Sequence, residues 1–388
     1  MPVRILVADD EPDLEHLIRQ KFRKKIKDND YEFTFAQNGA EALDFVSKDH
    51  SINLILTDIN MPVMDGLTLL TKIRELDNRL MRSVIVSAYG DMDNIRTAMN
   101  RGAYDFVTKP IDLNDLEITI EKSLREIQLY KEAMTSHDQL VAIQQELDIA
   151  TAIQTSILPK VFPAFPDRKD FEIYAEMITA KEVGGDLYDF FLIDKNRLGV
   201  IIGDVSGKGI AAALLMAVSK TLLKATALKG IPSDSILTEV NKIVAEDSPS
   251  NMFVTVFYGV LDTRNGAFEY SNAGHNNPYL ISAEGEATPL KDVGGLILGA
   301  MKDVEYESNI IMLKTGDTIF FYTDGVTEAM NEKEEEFGEE RLLKTLGEKT
   351  NLGVNQQVYN IINEVQNFSG GIPQSDDITC LALKYLKK

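Results

Sequence analysis

The sequence has one cysteine, no tryptophan and four histidines in 388 residues. A lone cysteine excludes an intramolecular disulfide framework, and Cys380, set in the apolar run ITCLALKYL, reads as a buried strand residue. Positive charge is also short: 40 Lys and Arg stand against 61 Asp and Glu, a net charge of −21. That balance repels a phosphate backbone and excludes nucleic acid as the main partner. No apolar run approaches bilayer-spanning length, and the opening MPVRILVADDEP reads as a strand ending in acids rather than a charged leader. A cytoplasmic protein that does not engage a membrane is therefore expected. The hydrophobic share of 44% and charged share of 26% are those of an ordinary folded chain, long enough for two cores and a connector.

Up to about residue 125, short apolar runs alternate with helix-length amphipathic segments, from RILVA and PDLEHLIRQKFRKKI to DFVTK and LNDLEITIEKSLREI. That order predicts a doubly wound parallel sheet with helices on both faces. LILTDI and SVIVSA are apolar throughout, as strands covered on both sides must be. Between 113 and 158 glycine and proline vanish. Leu113, Ile120, Ile127, Met134 and Val141 recur every seven residues, and Leu140, Ile143, Leu147, Ala150 and Ile157 follow a three-four spacing. A long helical connector is predicted, paired with its copy in a coiled-coil homodimer; the competing reading is a single helix lying on its own domain. Pro159, Pro163 and Pro166 end it. Aromatic and β-branched runs then follow, with helices near 210–228 and 233–248, which predicts an α+β sandwich. The expected domains are 1–125, a linker over 126–160, and 161–388.

Ligands of an open parallel sheet bind at the carboxyl ends of its strands. Those ends carry Asp9, Asp10 and Glu11, then Asp58, Ser87 and Lys109. Carboxylates gathered at one edge repel unless a hard cation such as Mg²⁺ sits among them. Asp58 is then the nucleophile for a phosphoryl group, Asp9 and Asp10 hold Mg²⁺, and Lys109 pairs with the acylphosphate oxygens. Ser87 can hydrogen-bond the phosphate and Phe106 can repack as that loop moves. The motifs DDE at 9–11, TDINMPVMDG at 57–66, SAYG at 87–90 and TKP at 108–110 make this segment resemble the flavodoxin-like receiver domains of two-component response regulators. The resemblance implies a five-stranded sheet, a backbone carbonyl of Asn60 as a metal ligand, and a histidine kinase or phosphotransfer protein as phosphodonor.

In the C-terminal half, GGDLYD carries Asp186 and Asp189, GDVSGKG carries Asp204, YTDGVTE carries Asp324, and SDDIT carries Asp376 and Asp377. Carboxylates without histidine or cysteine point to Mg²⁺ or Mn²⁺ rather than zinc. Two such ions bridged by a carboxylate can activate water and clamp phosphate oxygens, so the predicted reaction is metal-assisted phosphomonoester hydrolysis. His275, in SNAGHNNP, can donate a proton or simply hold its turn, and the structural role is favoured. Ser206 as a nucleophile lacks an adjacent histidine base.

With EVGGDLYD, GDVSGKGIAAALLMA, NAGHNNP, YTDGVTEA and SDDIT, residues 170–386 resemble the type 2C-like, metal-dependent serine/threonine phosphatases of sporulation and stress signalling, and LDIATAIQTSILP resembles their helical lead-in. The resemblance implies Asp186, Asp204, Asp324 and Asp376 as catalytic metal ligands. It adds the Val205 carbonyl to one shell and leaves Asp376 and Asp377 as alternatives. It also implies a phosphoserine or phosphothreonine protein as substrate, commonly an anti-sigma-factor antagonist. Phosphorylation of Asp58 is then expected to act through the connector, with the helix from Ile210 as a candidate moving part. The rival expectation is a phosphoprotein-binding regulator with a silent phosphatase-like domain.

Overall fold

The computed structural model describes residues 2–88, 90–247, 252–348 and 352–387; Tyr89 of the SAYG motif and position 248 of the expected second helix lie outside them. The chain divides into two compact units, Met1–Ala142 and Ile143–Lys388.

The first unit runs β1 (Val3–Ala8), α1 (Pro12–Lys21), α2 (Arg23–Lys27), β2 (Tyr31–Ala36), α3 (Gly39–Lys48), β3 (Ile52–Asp58), α4 (Gly66–Glu75), β4 (Arg82–Ala88), α5 (Met92–Asn100), β5 (Asp105–Lys109) and the start of α6 (Leu113–Ile157). Its sheet is parallel, ordered β2-β1-β3-β4-β5. Side chains fix the helix starts: Asn38 accepts from the Glu41 N–H and Asp65 from the Thr68 N–H, each at the N-cap where backbone donors have no helical partner. The strands' opposite faces fill two cores, one with Leu14, Ile18, Leu116 and Ile120, the other with Ala42, Val46, Leu69 and Ile73.

The early heptad of α6 is thereby explained differently from the expected coiled coil. Leu116, Ile120 and Ile127 are buried, and Leu113 packs on the receiver-side core, so this stretch is the unit's own last helix. Every residue from 131 to 146 is exposed. The helix therefore changes from a packed element to a solvated one within a few turns.

The second unit continues with β6 (Phe171–Ile178), β7 (Leu187–Leu192), β8 (Arg197–Val205), α7 (Ile210–Ala227), α8 (Ser233–Asp247), β9 (Val254–Asp262), β10 (Ala267–Ala273), β11 (Tyr279–Ile281), β12 (Ala287–Pro289), β13 (Asn309–Met312), β14 (Thr318–Tyr322), α9 (Asp324–Thr327), α10 (Gly338–Glu348), α11 (Val354–Ser369) and β15 (Ile378–Tyr385). Two antiparallel sheets form, β13-β10-β9-β8-β7 and β12-β11-β14-β15-β6. Leu198, Val200, Phe257, Phe268, Phe321 and Leu381 fill the space between them. One sheet is covered outside by α7 and α8 through Met216, Leu223, Leu237 and Val240, the other by α10 and α11 through Leu342, Val358 and Ile361. The result is a four-layer sandwich whose strand ends gather the acids at one edge.

Among the described residues one helix, α7, is long and apolar enough to cross a bilayer by length and composition, contrary to the sequence expectation. It lies on the sheet instead, with Ala212, Met216, Leu223 and Ala227 buried and a charged Lys220 buried among them.

Candidate functional site

Parallel pairing aligns the acidic strand ends of the first unit: Asp58 lies beside Val86 in register, Ser87 beside Thr108, and Ala88 beside Lys109. Carboxylate oxygens of Asp9, Asp10 and Asp58 come within 4.8 Å of one another. Lys109 Nζ reaches Asp58 Oδ2 at 2.6 Å, Glu11 Oε1 at 3.0 Å and Asp9 Oδ2 at 3.1 Å. Burial opposes the lysine's charge, yet the hydrogen bonds to Asp58, Glu11 and Asp9 outweigh it and raise its pKa. Burial pushes the Asp9 carboxyl up, with Lys109 pulling the other way. Asn60 sits next in the loop, its N–H donating to Asp58 Oδ1 at 3.3 Å. Ser87 is buried and its Oγ makes no hydrogen bond among the described residues, while the Phe106 ring is exposed. The third carboxylate on Lys109, from Glu11, is a member of this cluster that charge reasoning left without a role.

In the second unit Asp186 precedes β7, Asp204 ends β8, Asp324 opens α9, and Asp376 and Asp377 precede β15. Asp186 is fully buried. Its Oδ2 accepts from the hydroxyls of Thr323, at 2.7 Å, and Thr379. Burial first, then the charges of Asp204 and Asp377, push its carboxyl well above the ordinary range. Asp204 is pushed up to about 7 by burial and by the neighbouring charges of Asp324 and Asp376. Burial and Asp376 raise Asp324 as well, with Lys208 acting against them. Asp186, Asp324 and Asp376 thus converge on Asp204, their repulsion offset only in part by Lys208, an arrangement that a hard divalent cation relieves.

The two adjacent aspartates are used differently. Asp377 is buried, and its carboxylate accepts from the N–H groups of Ala180, at 2.8 Å, and Gly185, at 2.6 Å. It is occupied as a clamp on the loop before β7. Asp376 faces the cluster, where its Oδ2 meets Lys208 Nζ at 3.0 Å. Asp189, also in the GGDLYD motif, turns away from the acids and forms a buried ion pair with Lys220 at 2.7 Å and a second contact to Lys224 at 3.2 Å.

Close approach explains the two glycines of that motif. A Cβ on Gly184 would stand 2.3 Å from Asp377 Oδ2, and one on Gly185 would stand 2.7 Å from the Val205 carbonyl oxygen and 3.1 Å from Asp204 Oδ1. His275 lies behind the acids, with Nδ1 2.9 Å from Thr255 Oγ1 and its backbone N–H on Asn272 Oδ1. Burial pushes its pKa down to about 4, so the imidazole is neutral at pH 7. Ser206 Oγ accepts from the Phe253 N–H at 2.9 Å, and the described hydrogen bonds of His275 run to Thr255 and Asn272 rather than to it. Thr323 and Thr379, which orient Asp186, are uncharged members of the YTDG and SDDIT motifs and escaped a search made by charge.

A parallel sheet with an Asp–Lys edge, followed by a four-layer sandwich with a carboxylate cluster, defines the class: a receiver joined to a domain with the type 2C phosphatase fold. The description "Response regulator receiver domain" matches residues 5–121, and "Stage II sporulation protein E (SpoIIE)" matches 194–386. The chain belongs to the response regulator receiver family, its receiver being followed by a SpoIIE-type phosphatase domain.

Sporulation initiation phosphotransferase F of Bacillus subtilis is 32% identical over 124 residues, 32% of this chain and 95% of that protein. Phosphoserine phosphatase RsbU of Bacillus subtilis is 31% identical over 220 residues, 56% of this chain and 64% of RsbU. Of RsbU and the other first curated relatives, the chain spans between 41% and 64% of their length. The SiaA-PP2C domain of Pseudomonas aeruginosa shares the fold, with a TM-score of 0.56 at 22% identity over 64% of this chain and 98% of that one.

Proposed function

We propose that the chain is a response regulator whose phosphorylation at Asp58 controls hydrolysis of phosphoserine or phosphothreonine on a regulatory protein, of the kind an anti-sigma-factor antagonist represents. The observation that carries this reading is the convergence of Asp186, Asp324 and Asp376 on Asp204, in a fold shared with type 2C phosphatases. A relative named a phosphoserine phosphatase supports the substrate class.

The cluster suits two Mg²⁺ or Mn²⁺ ions, because its donors are carboxylates under mutual repulsion. Asp186, Asp204, Asp324, Asp376 and the Val205 carbonyl would hold them. Bound there, such ions supply a charge clamp on phosphate oxygens and an acidified water, so no covalent enzyme intermediate is required. The chain's own part is orientation. Thr323 and Thr379 aim Asp186, and Asp377 fixes the loop that carries it, so that Asp186 and Asp204 would present their carboxylates to bound ions.

In the receiver, a carboxylate oxygen of Asp58 takes the phosphoryl group from a histidine kinase or phosphotransfer protein, and the donor's leaving group departs with the bonding electrons. Lys109 neutralises the new oxygens, Ser87 offers its unused hydroxyl, and the exposed Phe106 ring is free to turn inward. Asp9, Asp10 and the Asn60 carbonyl would hold Mg²⁺. The exposed stretch of α6 acts as linker and as the seam of a homodimer, within a cytoplasmic protein organised as 1–125, 126–160 and 161–388.

The test is phosphate release from an aryl phosphate and from a phosphoserine protein, with Mn²⁺ or Mg²⁺ supplied or chelated, before and after acetyl phosphate treatment. Metal-dependent release that changes on treatment, loses that change in Asp58→Ala and disappears in Asp204→Asn is the expected result. Release from Asp204→Asn equal to wild type would end the metal-site reading.

A further inference from the structure

The last turns of α6 bond to the loop that carries Asp186. Thr151 Oγ1 donates to the Glu182 carbonyl at 2.6 Å. Three residues later, on the same face, Gln154, only 5% exposed, pairs with Gly184 through both ends of its amide. Its Nε2 donates to the Gly184 carbonyl at 2.6 Å, and its Oε1 accepts from the Gly184 N–H at 3.1 Å. A primary amide bound in this manner reads the backbone as a neighbouring strand would, and both groups are buried, so neither finds water if the pair parts.

The loop has no slack on its other side. Asp377 holds the Gly185 N–H, and Gly184 already lies too close to Asp377 for any side chain. Gly185 in turn accepts from the Val205 N–H at 3.3 Å and lies against Asp204. A shift of Gly184 is therefore passed directly to Asp186, Asp204 and the Val205 carbonyl.

We propose that Gln154 is a positioning residue: its amide ties the end of α6 to Gly184, so that the seating of α6 sets whether the acid cluster is assembled to bind metal. This rests on the reading of the cluster as a metal site under receiver control. It places the moving part in loop 182–186 rather than in α7, to which the described polar contacts of α6 do not run. Rotation or axial sliding of α6 breaks two buried hydrogen bonds at once, which gives a two-state rather than a graded response.

The experiment uses the full chain and measures Mn²⁺ binding by calorimetry without substrate, with and without acetyl phosphate, alongside kcat and KM for an aryl phosphate. Gln154→Leu keeps volume and removes both bonds. It should weaken Mn²⁺ binding by about ten-fold or more, the usual effect of losing a group that orients ligands. Its kcat should be partly restored by excess Mn²⁺, and acetyl phosphate should no longer alter its Mn²⁺ affinity. Leu158→Ala, at a buried apolar position one turn on, is the control and should lower thermal stability while leaving Mn²⁺ affinity unchanged.

A folded Gln154→Leu chain that binds Mn²⁺ and responds to acetyl phosphate as wild type does overturns the proposal. So does Leu158→Ala weakening Mn²⁺ binding as much as Gln154→Leu, since general loosening would then suffice. A wild-type chain that binds no Mn²⁺ in the second unit overturns the metal-site reading and this proposal with it, and is told apart by failing before any substitution is made.

Discussion

Asp376 and Asp377 share a chemistry and differ only in what surrounds them. The Asp377 carboxylate is saturated by backbone N–H groups, whereas Asp376 meets a single lysine at the edge of the cluster. Replacing Asp377 by Ala strands at least two buried donors and should cost on the order of 3 kcal/mol of stability. Replacing Asp376 by Asn should leave the melting temperature nearly unchanged and lower activity by about 100-fold, as loss of a metal ligand does. Thermal melts beside rate measurements separate the two, and the reverse pattern would exchange their roles. A second residue-scale expectation concerns Asp204, whose carboxyl rises from 3.8 in the unfolded chain to about 7 in the fold. Between those values the folded state binds the extra proton, so stability is present at the acid end and is lost as pH rises toward 7. The metal-free chain should accordingly melt at lower temperature on going from about pH 5 to pH 7.5, and Mn²⁺ affinity should climb over the same interval. A metal-free melting temperature that climbs with pH would contradict this.

At the scale of elements, α7 is held by more than its apolar face. Lys220 and Asp189 are both buried and meet at 2.7 Å, tying the helix to β7 beside the acid cluster. Removing one partner leaves an uncompensated buried charge, so Lys220→Ala should destabilise the chain by about 3 kcal/mol, measured by urea unfolding. An effect under about 1 kcal/mol would show that the pair is dispensable. The acids and the longer strands of both domains were legible in the sequence, the acids because strand-end carboxylates announce themselves by type and spacing; the short β12 and β13 were not. Helix α11 was not, and α10 only in part: the acidic run NEKEEEFGEER over 331–341 reads as a solvated loop or a helix start, and α10 does begin within it, at Gly338. Gln154, Thr323 and Thr379 were missed for a related reason: neutral hydrogen-bonding residues acquire a role only from the partner the fold brings to them. The heptad of α6 carried two readings at once, because a helix packed on its own domain and one packed on a copy of itself bury the same periodic face, and up to Ile127 it packs on its own domain.

At the scale of the whole chain, two cores share one helix, and the seam beyond residue 128 decides the assembly. Leu129, Leu140 and Ile143 are exposed at spacings that close a coiled coil, and burying them against a second copy is the simplest way to remove them from water. Sedimentation should give a dimer for wild type and a monomer for Leu140→Glu combined with Ile143→Glu; a wild-type monomer at high micromolar concentration would remove the dimer.

Residues 131–146 have no side chain buried in the chain itself and little local support beyond side-chain pairs such as Gln144 with Asp148. Isolated helices of that length are marginal in water. A lone protomer should therefore expose the peptide bonds of this stretch to a protease long before either core opens, and its amides should exchange within the fastest class. Pairing with a second copy would slow both, and more so at higher protein concentration, so cleavage between the two folded halves becomes a direct gauge of how many chains are associated.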